Sequence, residues 1–219
     1  MTENSSIACP EGTRCPFYEE LSELRKDVER LKAQVRTDHL TALYNKAHML
    51  LSLENEMERT RRSSQATTIM LIDADHFKSI NDTFGHIVGD KVLKHLAQTI
   101  QQSIRKIDIP CRFGGEEFCV ILPSTSSLVG HQVAERLREM VASSPYELDS
   151  GETLNISVSI GLCSYTSNSQ LSLEKFLEKC DEQLYRAKKS GRNRVCMPEQ
   201  DRLPQSTVSA EEKDALFKP

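Results

Sequence analysis

Arg112-Phe113-Gly114-Gly115-Glu116-Glu117-Phe118 is the stretch whose reading decides the fold. Before it lies an apolar run broken by Pro110, Ile109 to Phe113, and after it another, Phe118 to Leu122. Two short β-prone runs separated by a glycine pair predict a hairpin. The glycines accept positive φ and allow a ligand or a second backbone to come close. Two adjacent carboxylates at a hairpin tip are costly to pack unless a cation sits there, and hard oxygen donors of this kind suit Mg²⁺ carrying a polyphosphate. Taken alone, the stretch reads more simply as an exposed acidic turn. A second acidic cluster changes that balance.

The second cluster follows Thr67 to Ile72, which is β-branched and apolar without alternation and so predicts a buried strand. The strand runs into Asp73-Ala74-Asp75, then His76 to Asp82 and Gly85-His86. Carboxylates at the C-terminal end of a buried strand sit where ligands bind in α/β sheets. Carboxylates converging from two strand ends form a divalent-metal site for nucleotide chemistry. Lys188 and Arg192, at the end of the last predicted helix, supply cations for phosphate oxygens. Each residue has a plainer reading singly: a turn cap for Asp73, a solvated helix position for Lys188, a carbonyl ligand for Arg192.

Around these clusters the remaining chain is helical and polar by turns. Helices are expected at about Lys46 to Thr60, Val88 to Ile104, Leu128 to Val141 and Leu173 to Lys188, the last capped by Gly191. Tyr146 to Leu148 and Leu154 to Cys163 bracket Asp149-Ser150-Gly151-Glu152, a second hairpin signal, and Arg194 to Met197 reads as a closing strand. Strands interleaved with helices make an α/β (α+β) domain with a mixed sheet covered by helices. Near the N-terminus, Phe17, Leu21, Leu24, Val28, Leu31 and Val35 alternate at spacings of four and three, a coiled-coil seam. Glu20–Arg25 and Asp27–Lys32 would pair across a parallel dimer; one amphipathic helix folded back on its own domain is the alternative. The expected organisation is a Cys-containing N-terminus at 1–16, a stalk helix at 17–37, one domain at 38–198 and a disordered tail at 199–219.

Composition limits the class. The 219 residues are 38% hydrophobic and 27% charged, which fits a globular domain with short appendages. A net charge of −4 gives no footprint for nucleic acid, and the absence of a long apolar run or signal peptide makes the cytoplasm, away from membrane, the expected location. The seven cysteines read as reduced thiols; Cys9 and Cys15 match no standard zinc spacing.

Five motifs in order, Asp38-His39-Leu40-Thr41-Ala42-Leu43-Tyr44-Asn45, Asp73 to Asp90, Arg112 to Phe118, Ser159-Ile160-Gly161 and Asp181 to Asn193, resemble the GGDEF family of diguanylate cyclases in its Gly-Gly-Glu-Glu-Phe version. The resemblance implies a nucleotidyl-cyclase-like fold, a central sheet of about five strands flanked by helices. It implies condensation of two GTP into cyclic di-GMP and two pyrophosphates with two Mg²⁺ (or Mn²⁺) ions per half-site. By the same resemblance Asp73, Glu116, Glu117 and the backbone carbonyl of Ala74 hold metal, with Glu116 taking the 3′-hydroxyl proton. Lys78, Lys188, Arg192 and the amides around His76 and Phe77 hold phosphates, while Asn81 and Asp90 read guanine. A carboxylate only accepts hydrogen bonds, which suits guanine N–H groups and not adenine N1. Arg105 and Asp108 match the family's RxxD product-inhibition site, and Arg136 the arginine a neighbouring domain often supplies. Each domain holds one GTP, so two must meet around a two-fold axis, which gives the stalk a purpose as homodimeriser and as a grip for a regulatory protein. Ala42 departs from the family's usual glycine, and Ala74 from isoleucine. The rival readings are a catalytically silent cyclic di-GMP receptor and a cyclase that also takes ATP.

Overall fold

The computed structural model of the protein describes residues 17–34 and 36–199. The segment 1–16 with its two cysteines, the tail from residue 200, and the side chains of Arg25, Val28, Leu31 and Lys32 that the coiled-coil pairing needs lie outside the described residues. The chain divides at Arg36/Thr37 into two units. In the first, α1 (Tyr18–Gln34) carries Glu19 and Glu20 in its opening turn, where acids favour the helix dipole. Its Phe17, Leu21 and Leu24 side chains are exposed.

The second unit runs α2 (Lys46–Ser63), β1 (Thr67–Ala74), α3 (Phe77–Phe84), α4 (His86–Ser103), β2 (Ile109–Gly114), β3 (Glu117–Leu122), α5 (Ser127–Ser143), β4 (Tyr146–Glu147), β5 (Thr153–Leu154), β6 (Val158–Tyr165), α6 (Leu173–Lys189) and β7 (Val195–Cys196). Five strands form a sheet in the order β2-β3-β1-β6-β7, antiparallel except for the β6–β7 pair. Strand β1 is central and every one of its residues is buried. Its period-two alternation splits the core. Met70, Ile72 and Ala74 join Phe77, Ile80, Val92, Leu96 and Leu137 of α3, α4 and α5. Ile69 and Leu71 join Met49, Leu53, Met57, Phe176 and Leu184 of α2 and α6. Asp73 follows Ile69 and Leu71 in the alternation and so falls on the α2/α6 face.

Local chemistry explains the boundaries. Asn45 caps α2 by accepting the His48 N–H, and Ser172 caps α6 by accepting the Lys175 N–H. Gly161 on β6 lets α6 lie against the sheet: a Cβ there would stand 2.3 Å from the Leu184 nitrogen. Three sequence expectations need correction. Leu154 to Cys163 is not one strand, because β5 pairs with β4 in a separate two-stranded sheet and the chain breaks before β6 joins the main one. Residues Phe77–Phe84, read only as a motif, form a helix of their own. Gly191 lies one residue beyond the α6 cap, which is Ser190. Among the described residues no helix is long and apolar enough to cross a membrane.

Ala42 adopts φ 59°, in the left-handed region where a glycine costs nothing. Relieving that strain is worth about 1–2 kcal/mol, offset by roughly 0.4–1 kcal/mol of added unfolded-state entropy. Ala42→Gly is therefore expected to stabilise the domain by about 0.5–1 kcal/mol and to raise Tm by about 2 °C in a thermal melt.

Candidate active site

The site begins with register. Asp73 on β1 is the cross-strand partner of Glu117 on β3, and the Ala74 N–H donates to the Glu116 carbonyl, so the hairpin acids are fixed beside the end of the central strand. Glu117 opens β3 rather than standing at the hairpin tip; Gly114 closes β2 opposite it, and Gly115 and Glu116 make the turn, with Gly115 at φ 51°. From the other side α6 brings Lys188, whose Nζ donates to Asp73 Oδ2 at 2.7 Å. Burial pushes the Asp73 carboxyl above its usual range, the Lys188 ammonium pulls it back, and the negative charges of Glu116 and Asp75 push it up again. Glu117 is likewise raised, first by burial and then by Asp73, with Lys188 opposing and Asp181 and Glu116 adding to the rise.

These residues fit a hard divalent cation. One ammonium faces several carboxylates that repel one another in a half-buried site, and charge of that sign is what a metal–nucleotide complex brings. No group of three or more acid, histidine or cysteine side chains is preassembled as a ligand cluster among the described residues.

The other expected residues fall at the same end of the sheet or on the helices that follow it. His76, at φ 56°, caps α3 only two residues past β1, placing the helix's first amides and Phe77 at that strand end. Lys78 is exposed on α3. Asn81 on α3 meets α4 one residue from Asp90: a Cβ on Gly89 would lie 1.9 Å from Asn81 Oδ1. The bare Gly89 thus seats the amide next to the Asp90 position. Arg192 follows α6 at φ 61°, its N–H bonded to the Ala187 carbonyl.

Arg105 and Arg136 line a separate cleft of about 480 Å³ between α4 and α5, with Ser103, Val133 and Met140. Both arginines belong to this one chain, and Arg136 donates to the Ser103 carbonyl at 2.5 Å. Asp108 is buried and its Oδ2 accepts the Arg105 N–H at 2.7 Å; burial raises its carboxyl, opposed by that N–H and by the two arginine charges.

The roles of three residues, Arg112, Asp38 and Asp75, were missed in the sequence. Arg112 donates through Nε and Nη2 to the Gly115 carbonyl at 3.0 and 2.8 Å and through Nη1 to Asp38 at 3.2 Å, tying the acidic turn to the Asp38 loop. Asp38 also accepts from the N–H and hydroxyl of Thr41, a local side-chain-to-backbone cap whose Asp-x-x-Thr spacing was visible. Asp75 takes three hydrogen bonds in a buried position, and only its place two residues after Asp73 marked it.

Carboxylates at the end of a central strand, one of them bonded to a lysine, fit a nucleotidyl- or phosphoryl-transfer class of site. Within that class the chain matches the family described as "Diguanylate cyclase, GGDEF domain" over residues 35–194, and it belongs to that family. It is 42% identical over 173 residues to the response regulator PleD of Caulobacter vibrioides, covering 78% of this chain and 38% of PleD. The coiled coil and GGDEF domain of DgcB from Caulobacter crescentus, solved with c-di-GMP, superposes with a TM-score of 0.72 at 30% identity, covering 82% of this chain and 94% of that one. Diguanylate cyclase SiaD of Pseudomonas aeruginosa, solved with its activator SiaC, gives 0.71 at 31% identity over 82% of this chain and 68% of that one.

The Asp38–Arg112 pair sets a pH dependence. Burial opposes ionisation of Asp38, but the Thr41 hydrogen bonds and the Arg112 guanidinium outweigh it and hold the carboxyl below its usual value. A depressed folded pKa gives stability that is complete above the unfolded value of about 4 and is lost as pH falls through the folded one. Arg112→Gln is expected to cost about 2 kcal/mol at neutral pH, with a smaller loss below pH of about 3, read from urea melts across that range.

Proposed function

We propose that the protein is a diguanylate cyclase that joins two GTP molecules into cyclic di-GMP and releases two pyrophosphates. The observation that carries this reading is the pairing of Asp73 with Glu117 in register and with Lys188 at 2.7 Å, inside the stretch that matches the family. Asp73, Glu117, Glu116 and the Ala74 carbonyl would hold two Mg²⁺ or Mn²⁺ ions, which when bound would lower the pKa of the attacking hydroxyl and neutralise charge at the α-phosphate. Lys78, Lys188, Arg192 and the amides at His76 and Phe77 hold the triphosphate. Asn81 and Asp90 take the guanine edge, and a carboxylate at 90 selects GTP over ATP because it can only accept.

The reaction needs two such half-sites. The 3′-oxygen of one GTP attacks the α-phosphorus of the other, its proton passes to Glu116, and the P–O bond to pyrophosphate breaks; the reciprocal step closes the ring. A stalk at 17–37 ahead of a catalytic domain at 38–198 brings two domains into range, the exposed Phe17, Leu21 and Leu24 of α1 supplying the seam. The SiaD–SiaC pair supports a protein partner as an input. Product binds at Arg105, Asp108 and Arg136 and slows its own synthesis, within bacterial second-messenger control of motility and biofilm.

Protein stripped of bound nucleotide and given GTP with Mg²⁺ is expected to form cyclic di-GMP by chromatography, and Glu116→Gln to lower the rate at least about 10²-fold. No product at any protein concentration, with nucleotide still bound, would favour the silent receptor instead. Arg105→Ala is expected to leave initial rates near wild type while product accumulates past the level at which the parent slows.

A further inference from the structure

Asp75 plays no part in the proposed chemistry, yet it is 5% exposed and fully engaged. Its Oδ1 accepts the Ser159 hydroxyl at 2.6 Å, and its Oδ2 accepts the Ser157 hydroxyl at 2.7 Å and the Asn193 main-chain N–H at 3.0 Å. Its own N–H donates to the Ser157 carbonyl at 2.9 Å. No lysine or arginine side chain pairs with it among the described residues. A buried carboxylate without a cation is expensive, and three neutral donors are a modest return unless the geometry they fix is used.

What they fix is a pair of turns. Asp75 sits between the end of β1 and His76, the left-handed residue that starts α3. Asn193 is the second of two consecutive non-glycine residues in the left-handed region, Arg192 at φ 61° and Asn193 at 43°. Such residues persist only where surrounding bonds over-determine them. Here the Arg192 N–H bonds the Ala187 carbonyl on the helix side, and the Asn193 N–H bonds Asp75 on the sheet side. One carboxylate therefore joins the β1–α3 turn to the α6–β7 turn across 118 residues of chain.

We propose that Asp75 is a positioning residue of the phosphate cradle, holding the Arg192–Asn193 turn in register with the His76–Phe77 turn so that Arg192 is preset for the triphosphate. The proposal rests on the reading of Arg192 as a phosphate ligand. Its role is geometric rather than electrostatic: what matters is an acceptor oxygen opposite the Asn193 N–H. An asparagine can keep that oxygen, because the Ser159 hydroxyl can turn and accept from the new amide. An alanine cannot.

The test is a double-mutant cycle on the full chain, with the α-thio analogue of GTP and Mg²⁺ as probe, Kd by calorimetry and Tm alongside. Asp75→Ala is expected to weaken binding about tenfold, and Asp75→Asn to restore it to within about twofold. In an Arg192→Ala background, Asp75→Ala is expected to add little, since both changes remove the same contact. If Arg192→Ala alone leaves Kd unchanged, the phosphate role of Arg192 falls and the proposal with it. If Arg192→Ala weakens binding but the two changes add independently, the proposal alone falls. A charge at 75 that asparagine cannot replace also overturns it. Should Asp75→Ala not fold, hydrogen exchange of the wild-type Asn193 amide decides. Protection without nucleotide supports a preset turn, and free exchange that slows only on adding the analogue overturns it.

Discussion

The structure depends on one unfavourable burial. Strand β1 is sealed on both faces, and a carboxylate at its seventh position has to be carried into that layer. Taking a carboxylate out of water costs several kcal/mol even after relaxation, so Asp73 has to be answered by positive charge. Lys188 answers it from α6, which is why the last helix must lie close to β6, and that closeness is possible because Gly161 offers no Cβ to the Leu184 and Cys180 backbone. The acid in register with it, Glu117, has no ion pair of its own among the described residues and shares Lys188 with Asp73, so the site is short of positive charge.

Three of the six described non-glycine residues with positive φ lie in the turns that bear the site. His76, Arg192 and Asn193 lie in the left-handed region, as does Gly115 in the acidic turn. A non-glycine residue there costs on the order of 1 kcal/mol, and each is held by a named bond: the His76 carbonyl by the Ser79 N–H, Arg192 by Ala187, Asn193 by Asp75. Arg112 does the same for the acidic turn by gripping the Gly115 carbonyl while bound to Asp38. The turns that bear the site are thus braced from the sheet and from the N-terminal loop, and none depends on its own sequence preference alone.

Much of this was legible before the structure. The unbroken apolar run of β1, the glycine pair of the β2–β3 hairpin and the seams of α4, α5 and α6 carry strong periodic or turn signals, and the structure has those elements within a few residues of where the pattern puts them. Helix α3 was hidden because its eight residues bury only Phe77 and Ile80, too short a stripe to stand out from the polar motif around it. The β5–β6 break was hidden because Leu154 to Cys163 has no glycine or proline before Gly161 to mark where the chain leaves one sheet for the other. Asp38, Arg112 and Asp75 were overlooked for a common reason. Asp38 and Arg112 each have one partner three residues away. The contacts that join distant parts of the chain, Asp38 to Arg112 and Asp75 to Ser157, Ser159 and Asn193, span 74 to 118 residues, and no local spacing reports a contact of that kind.

On the proposed reaction, the charge inventory also says where control has to act. The acids, the phosphate cations and the Asn81–Asp90 pair all belong to one unit of the chain, from Thr37 onward, and need nothing from a second copy to be in place. What a lone unit lacks is a second nucleotide, held by a second unit and facing the first. An input that rebuilt the chemistry would have to disturb braced turns and a sealed strand, at a cost of several kcal/mol. Changing how often two units meet costs far less, because it acts on a helix whose Phe17, Leu21 and Leu24 are already exposed. On that proposal, α1 and the Arg105–Arg136 cleft, both built from elements other than the strand end that bears Asp73, are where an input would work without dismantling the site.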